Sequence, residues 1–430
     1  MPDGSGRVTR SDQRRSELIS AFGAVTEWYD FSLYVYLAPV YGRVFFGDGD
    51  AGSQLIATFG IFAIAYAARP LGALAFGSFG DRKGRKQSLT LSALIMAAAL
   101  LVNGLLPSEA TAGLLAVLLL VAVRLAMGFA VGGEYSGILV FLVETASARN
   151  RGLVVSWAPA VAGVGSLLAV GVSAAVTNAL DTAALDSWGW RIPVFFGAAL
   201  ALSVFFLRRR LTETASFEQL RASNAVAASP TREVTHTARL ALVVTFGLSA
   251  VGSIAYYLNV TFVPTFLSGF TDVDAGTALR WSTLATAAML VTTPAFGAIS
   301  DRTGRRGFLA VSAIVLVATS PILFAVLDDS TAWIVVAAMA ALAVSAGALC
   351  AVSAAAIPEQ FPAHVRFSGI AIGYNAAVAV FGGLTPFVAT VLIDSTGSAV
   401  VPAAVLSAAT AAMIVPVLRL RETARRPLPQ

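Results

Sequence analysis

Long apolar stretches recur along the whole sequence. Twelve of them, each 19 to 30 residues long, occupy residues 18–40, 54–76, 88–106, 114–143, 153–177, 189–207, 240–267, 281–299, 308–327, 333–357, 369–393 and 399–418. A helix of about 20 apolar residues crosses the hydrocarbon core of a bilayer, whereas a membrane β-strand needs only about 10 residues of alternating polarity. The pattern therefore predicts an all-α integral membrane protein with twelve transmembrane helices.

The composition excludes several other classes of protein. Of the 430 residues 57% are hydrophobic and only 12% are charged, and a water-soluble chain could not bury that much apolar surface. Cys350 is the single cysteine, and the two histidines, His236 and His364, lie outside the apolar stretches. We therefore expect no disulfide, no histidine-based metal site, no cofactor and no enzymatic activity. The sequence also contains no GxxxxGK[ST] loop for ATP.

The basic residues are distributed unevenly between the loops. When loops are assigned alternately to two sides, 24 of the 29 lysines and arginines, among them Arg151, Arg208 and Arg366, fall on one side and only three on the other. Basic loops remain in the cytoplasm. We therefore expect a multi-pass protein of the bacterial inner membrane with both termini cytoplasmic, and we interpret the net charge of +5 as a topology signal, with no nucleic-acid partner.

An internal repeat divides the chain. The pattern G-x-x-x-D-R-x-G-R-[KR] begins at Gly77 and again at Gly297, each time after the second apolar stretch of six. A weaker echo places a glutamate seven residues before an arginine at 144 and 151, and again at 359 and 366. Duplicated halves are typical of transporters that rock about a central site. The predicted units are a cytoplasmic tail (1–17), a six-helix bundle (18–207), a central cytoplasmic loop (208–238), a second six-helix bundle (239–418) and a cytoplasmic tail (419–430).

The repeated motif suggests a role in gating. Gly84 and Gly304 suit tight turns between helices, and a carboxylate at a helix end can pair with neighbouring arginines or with an adjacent helix N-terminus. The motif could therefore hold the two halves together on the cytoplasmic side, or it could simply anchor the loops. The candidate gating residues are Asp81, Arg82, Arg85, Asp301, Arg302 and Arg305.

Ionisable residues inside the apolar stretches are costly, so each one is a functional hypothesis. Glu27 and Asp30 share one face of the first helix, and Arg69 and Arg124 lie at comparable depth. With no histidine or lysine in the membrane, only a carboxylate can carry a proton near neutral pH. We predict Asp30 as the first proton carrier and Glu27 as the second; Glu134, after a glycine pair, could be a relay or a structural group.

The same reasoning assigns the substrate contacts. Arginine stays protonated and its planar fork suits a carboxylate, so we predict Arg124 as the substrate partner and Arg69 as its support. If all four charges face one cavity they sum to zero, and loading one proton leaves +1, which favours a carboxylate-bearing ligand. The charges could instead form static pairs that hold helices together. The remaining candidate substrate-binding residues are Tyr34, Tyr256, Tyr257, Asn259, Tyr374 and Asn375.

The duplicated motif resembles the hallmark of the major facilitator superfamily. The segments GAVTEWYDFSLYVYLAPV (23–40), RPLGALAFGSFGDRKGRK (69–86), RLAMGFAVGGEYSG (124–137) and WGWRIPVFF (188–196) resemble its metabolite–proton symporter family, as do LRRRLTETASFEQL (207–220) and GYNAAVAVFGGLTPF (373–387). The resemblance implies the twelve-helix major facilitator fold and proton symport of organic acids, shikimate-like compounds, or zwitterions such as proline and betaine. Ala24 and Val35 depart from the pattern, in which asparagine and glycine are usual.

These observations favour a secondary active transporter. We expect proton-coupled uptake of a small organic acid by alternating access, with a zwitterion such as proline or betaine as the alternative substrate and proton-coupled export as a rival direction. A membrane-embedded enzyme would need a nucleophile–base or metal constellation, and a sensor would need a larger cytoplasmic domain than 208–238. The expected partners are a carboxylate-bearing small molecule and the lipid bilayer, with the chain acting as a monomer.

The topology is directly testable. A reporter fused at the C-terminus or within 208–238 should lie in the cytoplasm, because the basic residues hold these segments inside. Fluorescent-protein and alkaline-phosphatase fusions to the same positions provide matched opposite readouts. Phosphatase activity at either position would contradict the assignment.

Overall fold

The computed structural model describes residues 10–47, 50–328, 331–398 and 400–429. Residues 1–9 of the predicted N-terminal tail lie outside this range. Within it, the chain is helical and contains twelve long helices. These are α1 (Arg10–Tyr36), α2 (Ala51–Lys83), α3 (Arg85–Gly104), α4 (Leu114–Thr145), α5 (Trp157–Ala179), α6 (Arg191–Arg209), α7 (Arg239–Tyr256), α8 (Ala275–Thr303), α9 (Arg305–Asp328), α10 (Ala332–Ala356), α11 (Arg366–Ala377) and α12 (Val401–Arg419).

Shorter elements join the long helices. They are Ala38–Phe46, Glu109–Ala112, Arg151–Val155, Thr182–Ala184 with the π-helical turn Leu185–Gly189, Ala215–Ala222, Pro230–Thr237 and the 3₁₀ turn Pro358–Gln360. Two of them lie in the predicted central loop, so that segment is partly helical. The helix α6 continues through the first two residues assigned to the loop, and α1 begins well before the predicted start at residue 18.

Two of the predicted apolar stretches are interrupted helices. Beyond α7 the chain passes through a π-helical stretch, Tyr257–Phe262, into Val263–Phe270. Beyond α11 it passes in the same way through Val378–Gly382 into Gly383–Thr396. Such stretches are common at functional sites. Here they follow helices α7 and α11, which pack on each other.

Helix packing repeats after a shift of six helices. In the first half α2 packs on α4, α1 on α5 and on α6, and α3 on α4 and on α6; in the second half α8 packs on α10, α7 on α11 and on α12, and α9 on α10 and on α12. The main contacts between the halves obey the same rule, since α2 meets α11 and α5 meets α8. The two six-helix bundles are therefore pseudo-symmetric, as the sequence repeat predicts.

The outward surface is apolar. Within the described residues, nine helical segments are long and apolar enough to cross a membrane, and the other three predicted stretches correspond to α1, to α11 with its continuation, and to α12. Large side chains such as Ile56, Leu71, Val291 and Ile322 are more than 60% exposed along the sides of the bundle. A surface of this kind is stable only when lipid covers it.

Glycines are needed at two kinds of position, namely tight turns between helices and a place where two helix backbones touch. Gly84 and Gly304 have φ of 121° and 95° where α2 turns into α3 and α8 turns into α9, which confirms the predicted tight turns. On α4, Gly132 faces the backbone of α2, and a Cβ built there would lie 2.2 Å from the carbonyl oxygen of Arg69. The two helices thus touch through their backbones at the depth of a buried arginine.

Substituting Gly132→Ala should destabilise the protein. The added methyl group forces α2 and α4 apart, and overpacking of this kind costs about 1–3 kcal/mol. Thermal unfolding in detergent, followed by tryptophan fluorescence, should show a midpoint several degrees lower. Gly60→Ala on α2 is the matched control, because a Cβ at Gly60 has no neighbour within 4 Å. An unchanged midpoint for Gly132→Ala would show that the contact is not tight.

Candidate functional site

The two copies of the repeated motif close one end of the bundle, which we call the basic face (residues 81–86 and 301–306). Asp81 on α2 accepts hydrogen bonds from the backbone N–H groups of Phe367 (3.1 Å) and Ser368 (2.8 Å) at the start of α11. Asp301 on α8 does the same for two N–H groups of the short helix Arg151–Val155, at 2.8 and 3.0 Å. Each motif carboxylate therefore binds the N-terminus of a helix in the other half.

A second set of contacts crosses between the halves. Glu144 at the end of α4 binds Arg366 of the second half at 2.7 Å and Arg85 of its own half at 3.2 Å. Glu359 binds Arg151 of the first half at 3.2 Å and the motif arginine of its own half at the same distance. Each glutamate thus pairs with the arginine that lies seven residues after the equivalent glutamate in the other half.

Two predicted gating residues stand apart from these clusters. The side chains of Arg82 and Arg302 are exposed, and neither forms an ion pair in the part of the chain that the structure describes. Arg85 and Arg305 are fully buried and bind the motif carboxylates at 3.4 and 2.8 Å. Within each copy of the motif, the aspartate and the second arginine belong to the closure.

A second repeat, which is not among the predicted features, supports the closure. The tripeptide Glu-Thr-Ala occurs at 144–146, 213–215 and 422–424, and the last two copies follow the final helix of each half. Glu213 accepts hydrogen bonds from the first two N–H groups of α3, and Glu422 does so for α9. The threonine that follows each one donates to Glu144 or Glu359. Comparing the two halves for short identical tripeptides would have revealed this pair.

The two capping glutamates differ in their electrostatics. Burial raises the pKa of Glu213, and its backbone hydrogen bonds only partly offset that effect. Burial also raises the pKa of Glu422, but four backbone N–H donors outweigh it, so that the pKa of Glu422 lies below its usual value. The cap in the second half is therefore the more firmly ionised of the two.

The C-terminal tail crosses the basic face. The carbonyl oxygen of Arg426 accepts a hydrogen bond from Arg151 at 3.3 Å, and that of Pro429 accepts one from Arg366 at 2.9 Å. Leu428 between them packs against the large apolar core. The tail therefore contacts the charged clusters of both halves.

A cavity lies between the two halves. Its lining is mostly aliphatic and aromatic with four serine and threonine side chains, and Arg69 is the only charged residue among the described lining residues. Aromatic contacts organise the walls, with Trp28 edge-on to Tyr256 at 5.2 Å and Tyr135 stacked on Tyr374 at 5.0 Å. We call it the central cavity.

The structure distributes the other predicted substrate contacts differently. Tyr256, Tyr257 and Tyr374 line the central cavity, whereas Asn259 and Asn375 do not. Asn375 donates to the Gly132 carbonyl at 2.9 Å and so links α11 to α4, and Asn259 reaches a carbonyl of α10 at 3.5 Å. The two amides act as interhelical bridges.

Four buried charges of the first half surround a smaller cavity, which we call the N-half cavity. Asp30 pairs with Arg124 at 3.0 Å, and Glu27 pairs with Arg69 at 2.9 Å. The guanidinium of Arg124 lies 3.7 Å above the ring of Tyr34. The expectation that all four charges face one cavity holds here, but this cavity is separate from the central cavity, and only Arg69 lines both.

Several polar atoms in the N-half cavity lack a protein partner. They are Glu27 Oε2, Asp30 Oδ1, and the Nε and Nη2 atoms of Arg124. Buried polar atoms of this kind are normally satisfied by water. The cavity therefore offers water molecules hydrogen-bonding partners between the two carboxylates.

A third buried pair was missed because its arginine was counted as a loop residue. Arg208, fully buried near the end of α6, binds Glu134 at 2.6 Å and the Leu89 carbonyl at 2.9 Å. Glu134 also accepts a hydrogen bond from Ser92. Arg151 and Arg366, which were also counted as loop residues, are buried as well.

A vestibule lies at the end of the bundle opposite the basic face. We call this end the far face. Phe31, Tyr36 and Thr261 are among the residues that line it, and it shares Trp28 and Tyr256 with the central cavity. The basic face is closed by the clusters described above. The central cavity therefore adjoins the far face in this conformation.

Comparison with known proteins agrees with this architecture. The family described as "Sugar (and other) transporter" matches residues 17–229 and 219–430. The glycine betaine/proline/ectoine/pipecolic acid transporter of Dickeya dadantii is 31% identical over 96% of this chain and 84% of its own length. The citrate-proton symporter of Klebsiella pneumoniae is 32% identical over 88% of this chain and 85% of its own length.

A solved structure matches the whole fold. The proton:xylose symporter of the major facilitator superfamily, bound to 6-bromo-6-deoxy-D-glucose, superimposes with a TM-score of 0.80 over 98% of both chains at 17% identity. The match covers nearly the whole of both chains, so the fold predicted from the sequence is confirmed.

The closure of the basic face can be tested with the native cysteine. Cys350 lines the central cavity and is the only cysteine in the chain. Asp81→Asn removes a charge-assisted bond, each worth about 1.5–3 kcal/mol, so a membrane-impermeant maleimide applied from the basic face should label Cys350 roughly tenfold faster or more.

The same variant should slow transport while expression and substrate affinity stay nearly intact. Arg82→Gln is the control, since it removes a charge of the same motif whose side chain is exposed. Equal labelling rates for Asp81→Asn and the wild type would leave the motif as a loop anchor only.

Proposed function

Since the chain belongs to the sugar (and other) transporter family of the major facilitator superfamily, we propose that it takes up a small carboxylate-bearing solute together with protons by alternating access. The observation that carries this proposal is the position of Arg69. It lines the central cavity on one side, and on the other it is paired with a buried glutamate in the N-half cavity.

This position couples proton and substrate. While Glu27 is ionised it holds the guanidinium of Arg69 at 2.9 Å. A proton on Glu27 removes that negative charge and frees the fork of Arg69 for a substrate carboxylate in the central cavity. Substrate and proton then stabilise each other's binding, as linkage requires. Binding of a carboxylate without a proton would leave two anions competing for one arginine.

Asp30 and Arg124 serve the proton side of this scheme. Their ion pair lines the N-half cavity but not the central cavity. We assign Asp30 as the residue that loads the proton and hands it to Glu27 through the N-half cavity. Arg124 then holds the charge of Asp30 while it is ionised, and Arg69 takes the role of substrate contact.

The substrate is a small organic acid in the first instance. One arginine in an otherwise uncharged cavity matches one carboxylate, and the small hydroxyl groups of Ser249, Ser253 and Thr293 suit its hydroxyl or carbonyl groups. A zwitterion is the second candidate, because the rings of Trp28 and Tyr256 offer faces to a quaternary or secondary ammonium. Relatives named for citrate and for betaine support both possibilities.

The orientation and assembly follow from the same features. The basic face is cytoplasmic, because basic loops are retained inside, so both termini are cytoplasmic in the bacterial inner membrane. The cavity, the proton-carrying groups and the closure all lie within one chain, so a monomer suffices. The proton gradient supplies the energy, and no cofactor or nucleic acid takes part.

Uptake into proteoliposomes tests the proposal. With an acidic exterior, labelled shikimate, citrate, proline, glycine betaine, xylose and a lipophilic cation are offered in turn. Accumulation of a carboxylate-bearing compound that collapses with a protonophore is expected. Accumulation of xylose or the lipophilic cation alone would overturn the carboxylate site, and gradient-driven efflux alone would favour the exporter.

Substitutions separate the two roles. Asp30→Asn and Glu27→Gln should abolish gradient-driven accumulation, while counterflow exchange of the same substrate survives because it needs no net proton movement. Arg69→Lys keeps the charge but loses the planar fork, so its KM should rise roughly tenfold, about 1.4 kcal/mol.

The control for these variants is Arg43→Gln, which breaks an exposed ion pair with Asp186 away from both cavities. Undiminished accumulation by Asp30→Asn and Glu27→Gln would remove these residues as carriers.

A further inference from the structure

We propose that Glu134 releases the transported proton toward the basic face. Arg208 is the positioning residue that pairs with the Glu134 carboxylate after the proton has left. This inference rests on the proposed proton coupling and extends it, because the groups assigned so far load a proton but give it no way out. The carboxylates form a series between α1 and α4, inside the first half and apart from the central cavity.

The series is fixed by α1. Asp30 and Glu27 lie three residues apart and both line the N-half cavity. One turn before Glu27 stands Gly23, and a Cβ built there would meet Arg208 Nη2 at 1.7 Å and Glu134 Oε1 at 2.7 Å. The third ion pair therefore occupies the space that any side chain at Gly23 would fill, one helical turn, or about 5–6 Å, from Glu27 along the axis.

The neighbouring helix α4 continues the same line. Arg124 and Val131 line the N-half cavity, and Glu134 follows Val131 by three residues on that face. Glu134 and Arg208 are close enough to Glu27 to act on its charge. A proton on Glu27 therefore has one further carboxylate about one helical turn away in the direction of the basic face.

The far end of the series lies close to that face. Arg208 is the last residue but one of α6, and its guanidinium binds the carbonyl of Leu89, four residues from the N-terminus of α3 at the basic face. Among the described residues, the charged and polar groups around Glu134 are Arg208 from α6, Ser92 from α3, and Glu27 and Thr26 from α1.

The proton step balances without any other reactant. The acid form of Glu27 gives its proton to the Glu134 carboxylate, and the Glu27 carboxylate pairs again with Arg69. Glu134 then gives the proton to water at the basic face and pairs again with Arg208. Each arginine stays protonated throughout, so one positive charge crosses this part of the protein per cycle.

The test compares four variants in proteoliposomes, using whichever compound of the uptake panel the wild type accumulates. Glu134→Gln blocks the last transfer, and Gly23→Ala displaces the Arg208 guanidinium without removing any charged group. Both should lower accumulation driven by the pH gradient at least tenfold and keep counterflow within about twofold of wild type. Arg208→Lys, which keeps the charge, should restore part of the accumulation relative to Arg208→Gln.

Gly60→Ala is the control for an added methyl group on a transmembrane helix, because a Cβ there meets nothing within 4 Å. Pyranine trapped in the lumen reports proton entry directly, and it should show the same loss for Glu134→Gln and Gly23→Ala.

Two results would overturn the route. Wild-type accumulation by Glu134→Gln and Gly23→Ala would show that the proton leaves elsewhere, and an equal loss of counterflow and accumulation would make the pair purely structural. Failure of the wild type to accumulate any compound of the panel would instead refute the proposed coupling itself. The wild-type measurement thus separates the two proposals.

Discussion

Charge in a low-dielectric interior must be paired, and this requirement organises the molecule from end to end. Thirteen charged residues are buried in the described part of the chain, and every one of them forms an ion pair with another charged residue. With Glu144, whose side chain is also fully covered, they comprise seven acidic and seven basic groups. Breaking one such pair by removing a partner costs several kcal/mol. The helices are therefore positioned as much by charge neutrality as by packing.

These pairs fall into two sets with different symmetry. Those at the basic face obey the internal repeat, since each aspartate, glutamate and arginine of one half has a counterpart in the other. Those in the middle of the bundle break it, because the three pairs along α1 and α4 have no ionised equivalents along α7 and α10 in the described chain. A symmetric closure can serve a rocking motion of equal halves, whereas proton transfer needs carboxylates in only one of them.

The fold was largely predictable and the site only partly so. Twelve stretches of the right length and one motif repeated at Gly77 and Gly297 suffice to predict a duplicated helical transporter. Inside the hydrocarbon core, only a helix or a closed barrel satisfies the backbone hydrogen-bonding groups. The buried carboxylates and arginines of α1, α2 and α4 were also identifiable, since charge in a membrane helix is rare.

Pairing across the fold was not predictable from sequence. The spacing of seven residues between Glu144 and Arg151 indicated the repeat but not the pairing, and the structure joins each of these residues to the opposite half. Arg208 looked like one of three consecutive loop arginines, and only the absence of a side chain at Gly23 makes room for it inside the bundle. Likewise, no sequence pattern shows that the central cavity and the N-half cavity are separate. That separation depends on how the helices pack around Arg69.

The C-terminal tail meets the arginines through main-chain carbonyl groups, at Arg426 and Pro429. Such contacts do not depend on which side chain the residue carries, but they do depend on the number of residues between the two carbonyl groups. Most single substitutions in this segment would keep both carbonyls in place, whereas inserting or deleting one residue between them would move one carbonyl by more than 3 Å and break the correspondence with the two guanidinium groups. Along this stretch the conserved quantity across related sequences should therefore be spacing, and drift in residue identity there should carry little penalty.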